Sequence, residues 1–271
     1  MNNILNELIQ IHLKKIMLFF MAVLLILTLL LSFSGHTIAE DVFEIEGTCQ
    51  KHEDLTVSPE CTDGTDKVGA RIIVCEIVDG GFVLMQYNDL TEALNEAKDG
   101  QIIRLLCDIE YKDPILIRDK IVTFDLNSFN LNVKTEAMEA LTVDNGALIL
   151  DDSAGGALNV TSTNILDGVG VLASNGGNAT VTNAAGPMIG ACAVDASKIT
   201  VKGNAKSIEY GVYALDGSLI TIDGVITVTA GGVYICVGDT DKTKKEGDPI
   251  PKAGYLEYTE LGNFVWVRII S

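Results

Sequence analysis

From residue 101 to residue 238 the apolar positions fall in short β-type runs, with Gly, Asn, Asp or Ser at the breaks between them. Within a run, apolar and polar residues alternate, as in a strand buried on one face. Four runs share an opening: Gly170-Val171-Leu172-Ala173, Gly190-Ala191-Cys192-Ala193, Gly211-Val212-Tyr213-Ala214 and Gly232-Val233-Tyr234-Ile235, with glycines 20, 21 and 21 residues apart. Ten residues beyond the first three glycines stand second strand cores, Thr180-Val181, Thr200-Val201 and Thr221-Ile222. A weaker earlier copy runs from Glu139 through Ala140-Leu141-Thr142-Val143 to Leu148-Ile149-Leu150. An insertion containing Ala157-Leu158-Asn159-Val160 separates it from the next.

A period near 21 with two or three short strands per unit predicts an all-β solenoid of stacked parallel coils. Each inward position then meets its copy in the coils above and below. The columns obey this: Val171, Ala191, Val212 and Val233; Ala173, Ala193, Ala214 and Ile235; Ala179, Ile199 and Ile220; Val181, Val201 and Ile222. Thr180, Thr200 and Thr221 alternate with them and face water. No Leu/Asn consensus recurs, which excludes a leucine-rich repeat, and a β-sandwich gives no reason for columns in register at this period.

Ahead of the repeats, Asp89 and Glu92 match a helix capping box, and Leu90, Leu94 and Ala97 lie on one apolar face of a helix running to about Lys98. The order Leu90-Thr91-Glu92-Ala93-Leu94, then Asp99-Gly100-Gln101-Ile102-Ile103-Arg104-Leu105-Leu106, then Ile121 to Leu131, then the Gly-Val-Tyr-Ala-type coils resembles the right-handed parallel β-helix of the pectate-lyase-like superfamily. Repeat-bearing secreted or surface proteins of Gram-positive bacteria are the nearest likeness. The resemblance covers about residues 88 to 238 and implies a fold far more than an activity. It also implies that the short helix caps the open end of the stack.

The remaining chain divides into three parts. Residues 1–39 form a leader, in which Lys14 and Lys15 precede the apolar run 16–33 and Thr37-Ile38-Ala39 supplies small residues for cleavage after Ala39. The alternative is an uncleaved membrane anchor, and either way the rest of the chain is exported. Residues 40–88 are a polar lead-in ending in a hairpin turned at Asp79-Gly80-Gly81. Residues 239–253 read as a charged linker, followed by a terminal hairpin turned at Leu261-Gly262-Asn263, in which Trp266 is expected to be buried.

The net charge of -18 argues against nucleic-acid partners, whose phosphates need a basic face. Six cysteines follow the leader. Cys49 and Cys61 bracket a polar loop and are the pair proposed for a disulfide, and the other four read as buried free thiols.

Candidate chemistry is sparse. His12, His36 and His52 all precede the repeats, so no coil carries a histidine base. The turn five residues after each glycine places Asn175, Asp195 and Asp216 in one column. Asp195 and Asp216, about 4.8 Å apart if stacked, would suit calcium or the acid and nucleophile of a retaining glycosidase. The simpler reading is that Asn and Asp begin turns. Asp151 and Asp152 are a second calcium candidate. Tyr213 and Tyr234, aligned one coil apart, would form an aromatic ladder able to stack on sugar rings or on each other. Arg104 and Arg118 are the only arginines in the coils, which disfavours a polysaccharide lyase, and Lys198, Lys202 and Lys206 are expected to face the turn carboxylates.

The expectation is therefore an exported, non-catalytic β-helix protein at the cell surface, adhesin-like or in contact with cell-wall or host glycans or a surface protein. It touches membrane only through an uncleaved leader. The alternative is a secreted carbohydrate-active enzyme, a glycosidase or a calcium-dependent lyase.

Overall fold

The structure is a computed structural model that describes residues 73–249 and 254–269. The leader, its cleavage point, the Cys49–Cys61 pair and His52 lie outside the described residues. Three sheets form the walls of a parallel β-solenoid of about six turns, and each coil visits sheets A, B and C in that order.

The sheet A strands of the coils are β3 (Gln101–Leu105), β6 (Ile121–Asp125), β9 (Ala147–Asp151), β12 (Asn178–Val181), β15 (Lys198–Val201) and β18 (Leu219–Ile222). Sheet B holds β4 (Ile109–Tyr111), β7 (Asn130–Thr135), β10 (Ala157–Ser162), β13 (Asn183–Gly186), β16 (Ala205–Ser207) and β19 (Ile226–Val228). Sheet C holds β5 (Ile115–Arg118), β8 (Glu139–Asp144), β11 (Val169–Ser174), β14 (Ile189–Ala193), β17 (Tyr210–Ala214) and β20 (Val233–Val237). The segment read from the sequence as an insertion, around Ala157-Leu158-Asn159-Val160, is β10, a regular strand paired with β7 and β13.

Inward residues stack in register. In sheet C one column is Ile117, Val143, Ala173, Ala193, Ala214 and Val237, and another is Ile115, Leu141, Val171, Ala191, Val212 and Ile235. All of these are buried. Sheet A contributes Ala179, Ile199, Ile220 and Val265, and beside them Val181, Val201, Ile222 and Val267. Burying each Val, Leu or Ile side chain is worth about 1.5–3 kcal/mol, so the shared interior holds the coils together.

One expected alignment fails in the last coil. Val212 pairs with Ile235, and Tyr213 with Cys236, so Val233 and Tyr234 are two positions out of the predicted columns. The turn Thr229 to Gly232 is two residues longer than those of the two preceding coils, and the true equivalent of Gly211 is Tyr234. The glycines at this corner are needed for space. A Cβ on Gly170 would lie 2.5 Å from the Gly190 carbonyl oxygen and 2.6 Å from the Ala185 amide nitrogen. No further coil presses on Tyr234, so its ring fits there and packs edge-on against Tyr258, with centroids 6.1 Å apart.

The turn from sheet C to sheet A places Asp119, Asn145, Asn175, Asp195 and Asp216 in left-handed backbone, with φ between 47° and 57°. Asn and Asp tolerate this conformation better than other side chains.

Both ends are closed. At the start, β1 (Cys75–Asp79) and β2 (Phe82–Tyr87) form a hairpin through Gly80 and Gly81, and α1 (Leu90–Glu96) covers the first coil with Leu90, Ala93 and the following Ala97. Asp89 caps the helix by accepting from the Thr91 amide at 2.8 Å. Lys120 Nζ donates to the Leu94 and Ala97 carbonyls at the other end of the helix.

At the far end β23 (Tyr255–Glu260) and β24 (Asn263–Arg268) form the terminal hairpin, and β24 stacks in parallel on β18 as a last rung. Asn263 locks it in place by accepting from the Gly217 and Ser218 amides. Trp266 lies half-buried on the outer face, over Thr221, and donates to Glu257 at 2.7 Å rather than entering the core. The stretch expected as a plain linker folds back, with β21 (Thr240–Lys242) on β20 and β22 (Asp248–Pro249) on β23.

Candidate functional site

The most regular array of polar side chains lies on the outer face of sheet B. Alternation turns Glu110, Asn132, Asn159 and Asn183 outward between buried neighbours, and the parallel register stacks them one coil apart. Asn132 donates to Glu110 at 2.5 Å, Asn159 to Asn132 at 2.8 Å, and Asn183 to Asn159 at 2.7 Å. The chain of amides continues through Asn183 to the Asn204 amide, and through Asn204 to the Val225 amide. The side-chain amides of Asn132, Asn159 and Asn183 each use one donor and one acceptor in the ladder, which leaves further hydrogen-bonding capacity facing outward.

A parallel row, Lys134, Thr161, Ala185, Lys206 and Thr227, runs beside the ladder. At the early coils these rows border an open groove of about 500 Å³ whose lining includes Glu110, Lys112, Lys134, Thr135, Glu136 and Thr163. Two lysines and two glutamates balance its charge. The array can hold a ligand by hydrogen bonds at a fixed repeat, but it gathers no acid–base pair around one point.

The sequence analysis missed this ladder. Successive asparagines are 27 and 24 residues apart, away from the 21-residue period. The usable signal was the tripeptide Leu-Asn-Val, which occurs at 131–133 and again at 158–160.

The residues singled out from the sequence are distributed elsewhere. Asp195 and Asp216 sit on successive turns, both exposed, and neither carboxylate takes a hydrogen bond or ion pair among the described residues. Earlier turns are tied together: Asn145 donates to Asp119 at 2.7 Å, and Asp144 accepts from Asn175 at 2.7 Å and from Arg118 at 2.9 Å. Those bonds, the one from Asn175 foremost, hold the Asp144 carboxyl below the usual range.

Asp151 ends β9, in register with Asp125, and accepts from the Ser153 amide at 3.0 Å; the Ser153 side chain, then that amide, holds its carboxyl below the usual range. Asp152 is bound by Lys202 at 2.5 Å. Lys202 therefore does not face Asp195 and Asp216 as expected, and Lys206 projects from a different sheet. Among the described residues no three His, Cys, Asp or Glu side chains converge as metal ligands. Arg104 bridges Glu76 at 3.2 Å and Asp125 at 2.7 Å, and Arg118 is committed to Asp144.

The tyrosine ladder does not form. Tyr213 is stacked between Cys192 and Cys236 and meets Tyr210 edge-on at 5.5 Å, whereas Tyr234 belongs to the end cap. Cys75, Cys192 and Cys236 are buried free thiols, but Cys107 is disulfide-bonded, contrary to its reading as a free thiol.

No family model, curated protein or solved structure matches the chain.

Proposed function

We propose that this chain is an exported, non-catalytic module of the cell envelope that contacts carbohydrate in the manner of an adhesin. In this reading the coil stack is a right-handed β-helix of the pectate-lyase-like type, akin to repeat-bearing secreted or surface proteins of Gram-positive bacteria. The observation that carries the reading is the asparagine ladder beside the balanced groove on sheet B. A glycan repeats its hydroxyls along a chain, and a rigid row of amides repeats donors and acceptors at the inter-strand spacing of about 4.8 Å. Both coil arginines are held in ion pairs, so neither is free to serve the uronate chemistry of a lyase. Cell-wall or host glycans are the expected ligands, with a surface protein as the remaining partner class. The contact needs no cofactor.

A panel of immobilised cell-wall and host glycans tests this. Binding is expected to saturate and to weaken in Lys134→Ala, and no binding at high protein concentration removes the carbohydrate clause. N-terminal sequencing of the exported protein distinguishes cleavage after Ala39 from an uncleaved anchor.

A second reading, a secreted carbohydrate-active enzyme with or without calcium, is favoured by one observation, the exposed and unengaged Asp195 and Asp216 on successive turns. Release of reducing sugar from a polysaccharide panel, abolished in Asp216→Ala, would establish it.

A further inference from the structure

Among the described residues the two edges of sheet A are built differently. The β22 edge is two residues long and contains Pro249, which has no N–H to offer a neighbouring strand. The β2 edge runs for six residues, Phe82-Val83-Leu84-Met85-Gln86-Tyr87, with no charge and no proline. Its first four side chains are exposed by 75, 49, 54 and 54%. Successive strand residues point to opposite faces, so both faces of β2 are apolar and open. Only Tyr87 is buried, with its hydroxyl donating to Glu96 at 2.9 Å. The register with β1 skips Leu84, a bulge that turns this side chain out of the pairing. The other four apolar or aromatic positions of β2 therefore do more for a partner than for the monomer, with Tyr87 the exception.

We propose that β2 is the interface between two copies of this chain, paired antiparallel about a two-fold axis so that the two A sheets join edge to edge. Three observations select a second copy. Identical edges related by a two-fold axis pair antiparallel and close the assembly, whereas growth from β2 to β22 is blocked by Pro249. The chain carries a net charge of -18, so two copies repel over most of their surface and approach best at a stretch free of charge. A basic partner would find no acidic residue within the strand itself. The four exposed side chains offer roughly half of the ~800 Å² that each partner contributes to a standard interface. The dimer is thus reversible and concentration-dependent. This inference does not rest on the carbohydrate reading.

Sedimentation velocity of the full chain, with wild type, Phe82→Lys and Leu84→Lys in one detergent-containing buffer, tests it. The wild type is expected to pass from monomer to dimer as its concentration rises to about 100 μM, where a micromolar dimer is well populated. Each lysine variant should weaken association by about tenfold or more, because it buries a charge at the paired edge. A wild type that stays monomeric throughout, or variants that associate as the wild type does, overturns the proposal. Hydrogen exchange provides a readout independent of substitution: amides of residues 82–87 should gain protection at high concentration, and their failure to do so also overturns it.

Discussion

Gly170→Ala separates the two reasons a protein keeps a glycine. Its backbone is not in the left-handed region, so alanine can adopt its conformation, and a stiffer unfolded chain would favour alanine by about 0.4–1 kcal/mol. The added methyl, however, would meet the Gly190 oxygen at 2.5 Å and the Ala185 nitrogen and oxygen at 2.6 and 2.8 Å. All three are backbone atoms of neighbouring strands, so relief requires moving β13 or β14, and such overpacking costs about 1–3 kcal/mol. The net expectation is a loss of roughly 1–2 kcal/mol. Gly176→Asn is the counterpart. Gly176 has φ +76° and nothing within 4 Å of an added Cβ, so asparagine, which tolerates the left-handed region better than most side chains, meets no clash and should cost about 1 kcal/mol or less, from the backbone alone. Urea unfolding followed by circular dichroism gives the magnitudes. Because coils unfold as coupled neighbours, native-state hydrogen exchange should show the loss first in β11, β13 and β14. A Gly170→Ala protein as stable as wild type, together with a damaged Gly176→Asn, would refute the argument from space.

Four further outcomes follow from the packing and electrostatics. Burial, then the charge of Asp167, raises the Glu139 carboxyl pKa above its ordinary value. The folded state then holds this proton more tightly than the unfolded state, so stability declines as pH rises through the raised pKa. Glu139→Gln should abolish that decline and match or exceed wild type in urea midpoint at neutral pH. Asp144 has the opposite sign: its depressed pKa stabilises the fold above the ordinary carboxylate range and the contribution is lost as pH falls, so Asp144→Asn should cost stability at neutral pH and little in acid. Burial pushes the Cys75, Cys192 and Cys236 thiols up to about 12, so pulse alkylation at pH 8 with peptide mapping should label them only after denaturation, and Cys107 only after reduction. Lys120→Met removes two hydrogen bonds from the carbonyls of α1 and its C-cap and should lower stability by about 1–2 kcal/mol, with exchange fastest at 90–97.

Much of the fold is legible in the sequence wherever strands are long and aliphatic. The columns through Val171, Ala191 and Val212, and through Ile199 and Ile220, are inward and paired as their spacing requires. The reading slips where physical equivalence and sequence likeness part. Gly232 looks like Gly211, but the longer turn before it moves Tyr234 into the equivalent place. Sheet B escaped notice because strands such as Ala205–Ser207 are too short to display a period, and because turns of unequal length on either side shift its spacing. The asparagine ladder was hidden for the same reason. The turn row of Asn and Asp was visible, but its left-handed backbone, which is what selects those residues, could not be read from composition.

The glycine corner also sets how this stack of coils can change size. The windings that enter sheet C at Gly190 and Gly211 share one corner geometry and two-residue turns before it, so a duplicated winding of this kind would find matching neighbours above and below and could be inserted whole. The final winding cannot be copied in this way, because the ring of Tyr234 fills the room a successor's backbone would need. It therefore acts as a stopper, and lengthening during evolution is confined to the middle of the stack.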